Sequence, residues 1–85
     1  MGQPLNEEET SSLWDAARAH GLAGKMELCL EVTKILRNEL LDGAAPPRFM
    51  KENCIIRNEE VLRMITIKGC DDTIEAVKQL LGQQD

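Results

Sequence analysis

Eighty-five residues, 42% of them hydrophobic and with a formal net charge of −5, make one small globular domain. The excess of acids opposes dedicated binding to phosphate backbones and adsorption to anionic membranes. Trp14 and Phe49 are the only aromatics. The core is therefore aliphatic, which suits helices packed on one another.

A chain of this size buries roughly 60% of its unfolded surface, enough for one core. Cys29, Cys54 and Cys70 are odd in number and show no CxxC or Cys/His ligand spacing. That pattern predicts three reduced thiols in a cytosolic or nuclear protein, with no metal and no cofactor. No apolar run of membrane-spanning length is present. Met1-Gly2 opens like a myristoylation signal, but Asn6 stands where Ser or Thr is required.

Residues 1–5 are expected to fray. Asn6 followed by Glu7, Glu8 and Glu9 has the form of an N-cap with a Glu three residues on, which predicts a first helix over residues 7–20. Its face holds Thr10, Leu13, Trp14 and Ala17, with Trp14 the anchor to the next helix. His20 falls at the C-terminal end, where it suits the helix dipole. Gly21-Leu22-Ala23-Gly24, followed by Lys25, then separates two helices.

Residues 25–41 are the longest amphipathic run. Cys29, Val32, Leu36 and Leu40 share one stripe, with Met26, Leu28 and Ile35 on its shoulders, and no Gly or Pro interrupts it. Gly43 and Pro46-Pro47 end it, and a short helix resumes at Pro47 or Arg48. Beyond it, Asn58 with Glu59 and Glu60 forms a helix start, and Val61, Leu62 and Ile65 continue on one face. The β-branched content of 54–67 also permits a hairpin. Asp71 or Asp72, with Glu75, predicts the cap of a separate last helix bearing Ile74, Val77, Leu80 and Leu81. Gly82 ends that helix, and residues 83–85 are expected to be loose.

The sum is an all-α fold: a small antiparallel bundle of four to five helices around a long central helix, one domain over 1–85. The alternative is an α+β fold of ααββα order. It takes residues 54–67 as a hairpin and Gly21–Gly24 as the GxxG turn with which KH domains, which it resembles, grip a nucleic-acid backbone. Gly21, Leu22, Ala23, Gly24 and Lys25 would form that grip.

Catalytic constellations are nearly empty. Glu59-Glu60 and Asp71-Asp72 are adjacent acids at helix starts, where the dipole favours them. No phosphate loop or nucleophile motif occurs. What remains is surface charge, which permits association with a partner protein or with a second copy.

Residues 48–81 resemble the later helices of the death-fold superfamily, particularly caspase-recruitment domains. The likeness rests on Met50-Lys51-Glu52-Asn53, Val61-Leu62-Arg63-Met64-Ile65, Lys68-Gly69 and the amphipathic stretch after them. The resemblance implies a non-enzymatic adaptor that joins signalling proteins, often by oligomerisation. It implies a basic patch at Arg48, Lys51, Arg57 and Arg63, and an acidic counterpart at Glu59, Glu60, Asp71 and Asp72. The opening Glu-rich helix and the absence of a sixth helix depart from that family. A subunit of a larger complex is a further expectation.

Overall fold

The computed structural model describes residues 3–82, and four helices account for most of them: α1 Glu7–Leu22, α2 Met26–Leu41, α3 Arg48–Asn53 and α4 Glu59–Leu80. No strand occurs among the described residues, so the chain is an all-α bundle. The expected loose residues 83–85 lie outside the described residues.

α1 starts where the acids place it. Asn6 Oδ1 accepts the Glu9 amide at 2.9 Å, and Glu9 Oε1 accepts the Asn6 amide at 3.0 Å. This reciprocal box satisfies two of the donors that every helix start leaves open. The helix passes His20 and ends at Leu22, because Gly21 is helical and the left-handed residue is Gly24, at φ 77°. The Lys25 amide donates to the His20 carbonyl at 2.8 Å, and the Gly24 amide to the Gly21 carbonyl at 3.1 Å. Those two bonds make a Schellman stop. The same device ends α2, where Gly43 has φ 100°, Ala44 donates to Glu39 at 3.0 Å and Gly43 to Leu40 at 3.1 Å.

The KH-like alternative is therefore overturned. The hairpin it needs is absent: residues 54–58 are irregular, and Asn58 caps α4 by accepting the Val61 amide at 3.0 Å. Of the supposed gripping turn, Gly21 and Leu22 are the last residues of α1, and Ala23, Gly24 and Lys25 are its stop signal.

A second correction concerns the C-terminus. The two helices expected from 58 onward are one, running unbroken through Gly69, Asp71 and Asp72. Its buried residues, Leu62, Thr66, Cys70 and Val77, keep helical spacing across the supposed break. One interior Gly costs up to about 1 kcal/mol, less than the continued burial contributes.

α2 is the element on which the others rest. Its buried residues are Cys29, Leu30, Thr33, Leu36 and Leu40. The stripe is thus rotated from the expected one: Val32 is half-buried, and Leu28 and Ile35 are exposed. Leu36 and Leu40 join Ala44 and Cys70, with Leu13, Trp14 and Ile67 packed against them. Cys29 and Leu30 join Val77, flanked by Met26, Ile74 and Leu81. α1 and α4 both lie against α2, while their own backbones stay more than 8 Å apart.

The loop after α2 is built into the core. Ala44, Pro46 and Pro47 are buried, and the prolines carry no amide that burial would leave unpaired. Residue 5, expected to fray, is held there: the Leu5 carbonyl accepts the Ala45 amide at 3.0 Å, and its side chain packs on the first cluster. Three threonines are fully or almost fully buried, and each satisfies its hydroxyl within its own helix. Thr10 donates to the Glu7 carbonyl at 3.1 Å, Thr33 to Cys29 at 2.7 Å and Thr66 to Leu62 at 2.7 Å.

Candidate functional site

The four basic residues singled out in the sequence are all engaged inside the fold. Arg48 Nε donates to Glu7 Oε2 at 3.2 Å and Lys51 Nζ to Glu7 Oε1 at 2.8 Å, which braces α3 against α1. Arg57 donates to the Lys51 carbonyl at 2.9 Å, satisfying an open carbonyl at the end of α3. Arg63 Nε donates to the Ala44 carbonyl at 2.8 Å and clamps the buried loop to α4. The Lys51 hydrogen bond holds the Glu7 carboxyl below its usual range, and Glu7 in turn raises Lys51.

The acids interleave with these bases. Glu59 lies 3.9 Å from Lys51, Asp71 pairs with Arg37 of α2, and Asp72 accepts from Lys68 at 2.9 Å. Only Glu60 of the four has no partner among the described residues. Exposed pairs of this kind each contribute between nothing and about 1 kcal/mol, so they orient helices more than they hold them.

Two apolar surfaces, which charge patterning does not disclose, stand out instead. The first lies at the α3–α4 corner. Ile55 is 94% exposed and Met64 64%, with Ile56 and Val61 also exposed in the same span of ten residues. Arg57 and Glu60 lie among them in sequence. An exposed β-branched residue in a five-residue linker is legible in the sequence only once the linker itself is known.

The second is a groove of about 400 Å³ between α1 and α4. Its floor is α2, through Cys29, Thr33 and Leu36. Small residues make the walls: Ala17 and Gly21 on α1, Gly69 and Thr73 on α4. Trp14 closes one end and stacks on Phe49, with ring centroids 5.4 Å apart. Arg18 is the one charged residue in its lining. Both pairs of small residues stand at i, i+4 spacing, and that repetition on two separate helices is the signal a sequence analysis could have used.

Three free thiols accompany these surfaces, Cys29 and Cys70 buried and Cys54 half-buried. Burial, with Asp71 adding to it, pushes the Cys70 thiol up to about 11, so it stays protonated at neutral pH. No cluster of three or more His, Cys, Asp or Glu suited to a metal ion occurs among the described residues, and no helix there is long and apolar enough to cross a membrane. Comparison with family models, with curated proteins and with solved structures returned no match for this chain.

Proposed function

We propose that the chain is a non-enzymatic protein-interaction module that docks a partner protein, or a second copy of itself, at the α3–α4 corner. The observation that carries this reading is the exposure of Ile55 at 94% and Met64 at 64%, with Ile56 and Val61 also exposed in the same short span of sequence. Interfaces concentrate binding energy in a few apolar anchors surrounded by polar groups. At this corner Ile55, Val61 and Met64 are the anchors, and Arg57, Glu59 and Glu60 supply the charged rim. Lys51 and Arg48 support the rim from behind through Glu7. The adaptor role implied by the likeness to caspase-recruitment domains is one form such a module takes.

Affinity capture on the immobilised domain, read by mass spectrometry beside sedimentation equilibrium of the free domain, tests the reading. Ile55→Asp and Met64→Asp are expected to remove the captured protein or the self-association while circular dichroism and melting temperature stay those of the parent. Glu60→Arg is expected to weaken it less, as a rim change does. Association that survives both apolar substitutions overturns the assignment.

A further inference from the structure

The groove between α1 and α4 is separate from the corner surface, and its chemistry points to a ligand of a different kind. Its volume, about 400 Å³, lies within the range of small-molecule sites, roughly 300 to 1,000 Å³.

The groove asks for almost no hydrogen bonds. Thr33 already donates to its own helix at 2.7 Å, and no buried side-chain nitrogen or oxygen among the described residues lacks a partner. Cys70 is a protonated thiol, so the lining offers no nucleophile there. Gly69 leaves open space: a Cβ built on it would meet nothing within 4 Å. An aliphatic tail can lie over such a floor with every methylene in apolar contact.

One end differs. Arg18 lines the groove, is exposed, and has no ion pair or hydrogen bond among the described residues. The other arginines are held by a carboxylate or a carbonyl: Arg37, Arg48, Arg57 and Arg63. The net charge of −5 opposes an approaching anion, but over distances beyond about 8 Å physiological salt screens it, and contact with a guanidinium is local.

We propose that the α1–α4 groove binds a single aliphatic chain ending in an anion, of the fatty-acid class, with its tail over Cys29, Thr33 and Leu36 and its carboxylate on Arg18. Trp14 is the only tryptophan and lines the groove, so its emission reports occupancy directly.

The probes are sodium octanoate, decanoate and dodecanoate below their micelle-forming concentrations, titrated into the full chain. A saturable change in Trp14 emission is expected, with affinity rising roughly twofold to fourfold per added methylene. Arg18→Glu should weaken dodecanoate roughly tenfold or more while leaving binding of dodecyl maltoside, which carries no charge, as in the parent. Gly69→Leu should remove binding of both by filling the groove, and Gly69→Ala should weaken both in a helix that is, if anything, more stable. Ile55→Asp should change nothing, which separates this site from the corner surface. Four results overturn the proposal. They are no saturable change, affinity independent of chain length, equal affinity in Arg18→Glu, and undiminished binding in a folded Gly69→Leu or Gly69→Ala.

Discussion

Three helices meet around the carboxylate of Glu7, which accepts from Lys51 and Arg48 of α3 while Lys51 also reaches Glu59 of α4. Its carboxyl is held below the ordinary 4.5 chiefly by the hydrogen bond from Lys51. A lowered folded-state value means that the unfolded chain takes up its proton first as pH falls. The contribution of Glu7 is therefore complete above pH 4.5 and disappears as pH drops through the lowered value. Urea midpoints at pH 6 and pH 3 should differ more in the parent than in Glu7→Gln, since the variant has no such proton to take up. Cys70 behaves in the opposite sense. Its thiol is raised from 9.0 to about 11, so the unfolded chain ionises first and stability should decline between those two pH values. At pH 8 iodoacetamide should label Cys54 well ahead of Cys70, as peptide mass mapping of a timed reaction would show. Labelling of Cys70 as fast as Cys54 would mean that α4 opens readily.

At the scale of the element, helix starts were legible and one helix break was not. Asn6 and Asn58 cap as their sequence context implies, because a cap is a contact between residues three apart. Asn58→Ala should cost about 1 kcal/mol, read as a lowered urea midpoint with unchanged slope. The Asp71-Asp72 cap failed because the same acids serve laterally, Asp71 toward Arg37 and Asp72 toward Lys68. Sequence context cannot distinguish an acid that starts a helix from one that flanks it when the partner is 34 residues away, as for Arg37 and Asp71. Gly69, two residues before Asp71, does not break the helix either. Inside α4 it is only a weak point, so Gly69→Ala should stabilise the domain by about 0.5–1 kcal/mol, a rise of several degrees in melting temperature.

For the whole molecule, the amphipathic run of α2 located the centre of the bundle correctly, and its rotation was missed. Val32 and Thr33 differ by one position. Only the placement of two other helices decides that Thr33 is buried and that Leu28 and Ile35 face water. A buried Thr also escapes a count of apolar residues, although its hydroxyl is fully served within the helix. Arg48, Lys51, Arg57 and Arg63, grouped in the sequence as a basic patch, brace α3, cap it and clamp the buried loop. The groove was not legible at all, since it exists only between two helices that share a neighbour. Leu40, with no exposed surface, is the residue whose loss the molecule should tolerate least. Leu40→Ala should cost about 2–5 kcal/mol, a large part of the stability of a domain this small, visible as a cooperative transition moved to much lower urea.

α1 and α4 each form a large joint with α2, and α3 makes smaller contacts with both of them. To lift, either outer helix must leave α3 as well as its joint with α2. Amide hydrogens should therefore exchange in three classes under native conditions. Those at the outer ends of α1 and of α4 should exchange first and independently of each other. Those of α2 around Leu36 and Leu40 should persist longest, released only when both joints are open at once.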